Sequence, residues 1–390
     1  MKKVFNQANL YILLWCMYFM QGELYAKGSF IARIILVIVL IISVYNALVA
    51  NLKYKLPSYF KGLNILLLMF LFYGTLLILG GNYLPNGTSK IGYLQQILIS
   101  LLPIYSAYVY TRQGLISKDS FKLWIPIWII LVTISYYSNQ VVMVSNLSGD
   151  NREITNNVAY TFVSLIPSLI VFSRKPFIQY TLLLYCFFFI LSGMKRGAIL
   201  IAVLLGIYLI LNSYRIAPKN KRKYIILFAL LIVVALYSVV STMLIQSEYF
   251  NVRIEQTLAG QTSGRDVLYG IFVQYFFSET SFLHFMFGNG ANYTLAIANQ
   301  YAHQDWLEII INQGVLGCAI YFSYFILFFQ TWKSAKVYPN IFVGLGMIFI
   351  ICFFTSLFSM GYGGMTIYMT TTLGYFLGML QKHDNSKLIL

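Results

Sequence analysis

The sequence predicts an all-α polytopic membrane protein of about 12 transmembrane helices, with one long extracytoplasmic loop between spans 9 and 10. Three observations carry this. The chain is 59% hydrophobic and 10% charged with a mean hydropathy of +0.74, far from the roughly 25% charged residues of soluble domains. Apolar windows of about 19 residues, the length that crosses a ~30 Å hydrocarbon core, recur along it. Only one long polar excursion, residues 246–305, interrupts them. Lipid solvates the helices, so one bundle can absorb all 390 residues: 1–245 as helices 1 to 9, 246–305 as an extracytoplasmic helical loop, and 306–390 as helices 10 to 12 with a cytoplasmic tail.

The windows fall at 5–21, 29–50, 62–81, 91–111, 121–139, 157–173, 178–194, 197–213, 224–245, 306–331, 341–359 and 365–381. The first follows a short basic start and has no small-residue cleavage site after it, so it is expected to be retained as a span. Pro103, Pro126 and Pro167 fall inside windows, where neighbouring helices must satisfy the backbone groups that proline frees. Cys16, Cys186, Cys318 and Cys352 all lie in apolar stretches and read as small buried hydrophobes, not as a disulfide framework or a zinc site. No metal is expected. Asp150 and Glu153 flank an arginine in "GDNRE" (149–153), which reads as a solvated turn.

With both termini in the cytoplasm, nineteen of the 27 Lys and Arg residues fall on the inner side, whereas nine of the 11 acids fall on the outer. The positive-inside rule fixes this orientation, and the same asymmetry accounts for the net charge of +16. The basic balance is therefore topological and does not point to nucleic acid.

Three places on the outer side break the pattern. In "LSGMKRGAIL" (191–200), Lys195 and Arg196 occupy a tight turn between two apolar helices. Cations packed against the bilayer on the side that is depleted of them favour an anionic ligand over simple snorkelling. In "TSGRDVLYGIFVQYFFSE" (262–279), Ser263 and Asp266 have the spacing of a capping box, which puts Arg265 in a first helical turn, where the helix dipole disfavours a cation. Arg265 is either solvated, paired with Glu255 or Asp266, or part of an anion site with the free backbone N–H groups. The third is His303 in "YAHQDWLEIIINQGVLG" (301–317), which closes the same loop that Arg265 opens. On a helix it shares a face with Trp306 and Leu307, while Asp305 and Glu308 share another.

These pieces resemble the O-antigen polymerase and O-antigen ligase superfamily of bacterial envelope glycosyltransferases. "SGMKRGA" (192–198) looks like the family's Ser/Thr-x-Ser-Arg-Gly turn, and "SGRDVLY" (263–269), ending on Tyr269, like its Ser-Gly-Arg-x-x-x-aromatic helix start. "FGNGANY" (287–293) is similar to its Gly-x-Gly stretch, and "AHQDWLEIIINQGVLG" (302–317) to its His-Asn-x-x-Leu…Glu-x-Gly-x-x-Gly segment. The likeness covers roughly residues 190–330. Gln304, Gln313 and Lys195 depart from the family's usual residues.

The resemblance implies a GT-C-like membrane glycosyltransferase without a cofactor, in the bacterial inner (cytoplasmic) membrane with its site facing outward. The implied substrates are undecaprenyl-diphosphate-linked oligosaccharides, as donor and as acceptor, and the implied partners are membrane lipid, a chain-length regulator and a flippase. His303, Arg196 and Arg265 are the expected catalytic residues, and Arg196, Arg265 and Lys195 the diphosphate ligands. Asp305, Glu308, Arg253 and Tyr269 are expected to support them. The product is O-antigen (lipopolysaccharide), capsule or exopolysaccharide if the protein is a polymerase. A ligase would pass finished glycan to lipid A-core or protein. A flippase would line its midplane with polar groups, whereas this chain gathers its charges at one face.

Overall fold

The computed structural model describes residues 6–80, 89–145, 155–246, 255, 264–359, 361 and 365–387. The described residues are overwhelmingly helical. Six helical stretches are long and apolar enough to cross a membrane: Phe30–Lys53, Ser58–Leu79, Lys118–Met143, Arg196–Arg215, Asp305–Val337 and Pro339–Phe358. Val158–Phe172 and Pro176–Ser192 are shorter apolar helices. The protein thus has the make-up of a helical membrane protein. Its long helix α2 (Phe30–Lys53) turns Ile34, Val37, Ile41, Tyr45 and Leu48 outward, an exposed apolar stripe that suits contact with lipid.

The chain begins with α1 (Gln7–Phe19), whose Asn6 side chain accepts the Asn9 N–H as N-cap. α3 (Ser58–Leu79) follows α2. The fourth window is not one helix. Pro103 removes a backbone donor, and the chain divides into α4 (Lys90–Leu101) and α5 (Pro103–Arg112). Pro126 is carried inside the long α6 (Lys118–Ser145). Around Pro167 the sixth window changes from α7 (Val158–Leu165) to a 3₁₀ helix (Ile166–Phe172). α8 (Pro176–Ser192), α9 (Arg196–Ile216) and α10 (Lys219–Gln246) complete the first part.

The polar excursion contains three short helices among its described residues: α11 (Arg265–Ser278), α12 (Phe282–Phe287) and α13 (Tyr293–Ala298). They form a folded cap with a small core of its own, in which Leu268 and Phe272 of α11 pack with Ala302 and Ile311. The chain then continues as α14 (Asp305–Ser334), α15 (Pro339–Phe358) and α16 (Ile367–Lys387).

α16 packs closely on α5 through Gly374 and Gly378. A Cβ at Gly374 would lie 2.5 Å from the Ile104 carbonyl oxygen, and one at Gly378 would lie 2.7 Å from Thr111 Cβ. Small residues four apart let two helix backbones approach where no hydrophobic effect drives association in lipid. Buried polar contacts add specificity: Tyr11 bonds Ser43 at 2.6 Å, and Trp124 Nε1 donates to Asn9 Oδ1 at 2.8 Å.

Candidate functional site

A cavity of about 450 Å³ opens where the starts of α7, α9 and α11 meet the ends of the loops before α14 and after α15. Lys195, Arg265 and His303 all line it. Each is held there by a different local device.

Lys195 ends the three-residue turn between α8 and α9. Met194 takes a left-handed conformation, φ 52°, which costs a non-glycine residue and persists only where the surroundings impose it. The surroundings here are Asn156 and Gly193. The Asn156 N–H donates to Gly193 O at 2.9 Å, while its side chain joins Tyr136 O, Asn139 Nδ2 and the Val158 N–H. That knot fixes the turn against the start of α7. Arg196, the first residue of α9, is half-buried and is not part of the cavity lining. One guanidinium, Arg265, shares the cavity with the ammonium of Lys195.

Arg265 opens α11. Its cap residue is Gly264, at φ 78° with no side-chain cap bond, so the helix starts one residue later than the capping-box spacing implies, and Ser263 lies outside the described residues. The unfavourable dipole of its own helix is offset by another helix. Arg265 Nη1 donates to Phe358 O at 2.8 Å, the last residue of α15, where carbonyl groups favour a cation.

His303 is not on a helix. α14 begins at Asp305, so the shared-face reading with Trp306 and Leu307 does not apply, and His303 sits in the preceding loop at φ 54°. Glu308 anchors that loop. Its Oε2 accepts the Ala302 N–H at 2.8 Å, its Oε1 accepts Asn312 Nδ2 at 3.1 Å, and Thr294 Oγ1 also donates to it. Asp305 is equally buried and accepts Tyr321 Oη at 2.5 Å and the Gly361 N–H at 2.8 Å. Both carboxylates therefore pin the segments around the cavity. Neither lines it. His303 itself keeps an exposed face. Desolvation of its protein side, followed by the like charges of Arg265 and Lys195, lowers its pKa from the usual imidazole value.

The glycine motifs have a structural cause. α14 breaks at Gly314, φ 69° and ψ −167°, and its freed carbonyls are recovered by the "FGNG" segment: the Asn289 N–H donates to Ile311 O at 3.1 Å and the Gly290 N–H to Asn312 O at 2.9 Å. Backbone meets backbone here, so a Cβ at Gly314 would lie 2.5 Å from Gly288 N. Tyr73 of α3 donates to Phe287 O and ties this crossing to the bundle. Gln313, just before the break, is fully buried, and neither polar atom of its side chain has a hydrogen-bond partner among the described residues. Tyr269 is half-buried outside the lining. Arg253 and the "GDNRE" loop lie outside the described residues.

Sequence reading missed a polar wall. Asn157, the N-cap residue of α7, and Tyr160, Thr161 and Ser164 on the face of α7 below it line the cavity, and their spacing of three, four and seven is the helical signal that would have found them. Ser164 bonds Thr366 at 2.7 Å across to the start of α16. Gly197 leaves room for the Tyr160 hydroxyl, which a Cβ would strike.

Among the described residues, no group of three His, Cys, Asp or Glu is placed to hold a metal ion. Fold and site together define a class: a helical membrane protein with a cationic, histidine-bearing cavity where its bundle meets a folded cap. No protein-family model and no curated protein matches the chain.

Proposed function

We propose that the protein is a GT-C-like glycosyltransferase of twelve spans that polymerises repeat units carried on undecaprenyl diphosphate into O-antigen, capsular or exopolysaccharide at the outer face of the bacterial cytoplasmic membrane. In this reading the paired helices α4/α5 and α7/3₁₀ count as one span each, and α1, α8, α10 and α16 complete the set. The observation that carries it is the gathering of Lys195, Arg265 and His303, distant in sequence, around one cavity.

A sugar bonded to diphosphate has a good leaving group already, so the site needs to receive charge more than to deliver a proton. A hydroxyl oxygen of the acceptor sugar bonds to the anomeric carbon as the bond from that carbon to the diphosphate oxygen breaks, and the electron pair leaves with the diphosphate. Arg265 and Lys195 meet that charge with preorganised, charge-assisted hydrogen bonds. The hydroxyl proton passes to His303. Its lowered pKa keeps the ring neutral, as a general base must be. A single displacement of this kind inverts the anomeric carbon. The departing diphosphate needs no metal in this scheme.

The test is extension of purified lipid-linked donor by the purified protein in detergent, where no vesicle sidedness exists for a transporter to act on. Longer glycans are expected with wild-type protein, with or without a chelator. Arg265→Ala should lower the rate ~10²- to 10³-fold, in line with the loss of one oxyanion donor, and His303→Ala ~10²- to 10⁴-fold, as for a general base. Wild-type rates from either variant would remove that residue from the reaction. In cells, loss of the gene should leave core capped by a single repeat. Bare core with lipid-linked polymer left over would indicate a ligase.

A further inference from the structure

A second cavity, about 510 Å³, adjoins the first and shares Met365 and Thr366 with it as a common wall. Its chemistry differs. Gln21, Gln95 and Gln96 line it together with Ser100 and the rings of Tyr18 and Phe19. One cation, Lys27, also belongs to the lining, and its side chain is exposed. No Asp or Glu lines it among the described residues.

Each glutamine amide both donates and accepts hydrogen bonds, which suits the neutral, two-way hydroxyls of a sugar better than the acceptor-only oxygens of a phosphate. Aromatic side chains present apolar faces with a polar handle beside those amides. Gln95 is already oriented, since its Nε2 donates to Tyr18 Oη at 2.9 Å. The shared wall is fixed as well: Thr366 Oγ1 bonds Ser164 at 2.7 Å and accepts the Met369 N–H at 3.3 Å. The volume is that of a small-molecule site.

We propose that this amide-lined cavity, formed by the end of α1, the loop after it and α4, is the acceptor subsite, which binds an uncharged stretch of saccharide and presents its terminal hydroxyl across Thr366 to the cationic cavity. The inference rests on the reading of the cationic cavity as the donor's diphosphate site. It divides the substrates by charge: phosphate is held by Lys195 and Arg265, sugar by amides.

The experiment uses the full chain in detergent and two probes that separate the two sites. One is inorganic pyrophosphate. The other is the neutral oligosaccharide that mild acid releases from the lipid-linked pool of cells making this protein. Gln95→Leu and Gln96→Leu should each weaken oligosaccharide binding at least tenfold and leave pyrophosphate binding unchanged, whereas Arg265→Ala should do the reverse. Gln95→Leu also removes the bond to Tyr18. If it lowers the melting temperature, Gln96→Leu decides, because that side chain is exposed. The proposal is overturned if the wild-type protein does not bind the oligosaccharide, or if Gln96→Leu binds it normally. If the oligosaccharide responds to the glutamines but pyrophosphate does not bind, the saccharide site stands and the diphosphate reading falls.

Discussion

His303 faces two positive charges, and the sign of their effect is testable. Desolvation, Arg265 and Lys195 all lower its pKa from the ordinary ~6.5, so the ring stays neutral further into acid than a free histidine. The folded protein therefore takes up this proton less readily than the unfolded chain, and this residue subtracts stability as pH falls below ~6.5. Activity that needs the neutral ring should fall only once the pH drops through the lowered pKa. Replacing Lys195 with Met removes one like charge, so the acid limb of kcat/KM should move to higher pH, together with the His303 imidazole titration followed by NMR. Arg196→Met should leave the limb where it is. A limb that stays put in Lys195→Met, or moves toward acid, would show that Lys195 does not act on the ring. Which of the two cations faces the cavity was beyond the reach of the sequence. Successive residues at a helix start point about 100° apart, so the choice depends on where α9 begins. That in turn depends on the left-handed turn at Met194, held by contacts from Asn156 that no local pattern announces.

Elements were legible where their signal is apolar length and obscure where it is a break. Each expected window contains a helix or a pair of helices, because hydrophobic runs of that length have few alternatives in lipid. Pro103 and Pro167 marked two discontinuities, since proline carries its effect within itself, yet Pro126 left α6 continuous. The break in α14 had no such marker. Glycine is common in membrane helices, and only the backbone of the "FGNG" segment, 24 residues or so upstream, shows what Gly314 is for. Its φ and ψ fall in a region essentially reserved for glycine, which costs other residues ~1–3 kcal/mol. A Cβ there must also displace Gly288 N and Met286 O, each 2.5 Å away. Gly314→Ala should therefore lower the melting temperature and loosen the crossing that carries the cap, with the proposed glycan transfer reduced even at temperatures where the protein stays folded. Gly270→Ala provides the contrast. It lies within α11 with nothing inside 4 Å of its added Cβ, so the exchange should be neutral or stabilise by up to ~1 kcal/mol. Equal losses from both variants would mean that the cap tolerates no substitution, and the special role of the break would be lost.

At the scale of the whole molecule, the two ends of the bundle carry different chemistry. One end holds the cap and both cavities argued above, while the other gathers Lys118, Lys122 and Arg174 within electrostatic reach of one another. In the proposed orientation, which follows the positive-inside rule, the second end is cytoplasmic and the cationic cavity with Lys195 and Arg265 lies on the outer side. This orientation can be read across one helix. Residues Asp305–Val337 span about 50 Å at 1.5 Å per residue, enough to cross the bilayer once despite the break, and they separate Thr280 of the cap from Lys336 at the far end, both exposed. Cys16, Cys186 and Cys352 are buried and Cys318 is half-buried, so background reaction with a membrane-impermeant maleimide should be small. Thr280→Cys should be labelled on intact spheroplasts, and Lys336→Cys only after the membrane is opened. Labelling of both from outside would show that α14 does not cross. The reverse pattern would turn the bundle over and place Lys195, Arg265 and His303 in the cytoplasm, where a polymerase of exported, lipid-linked glycan has no substrate to meet.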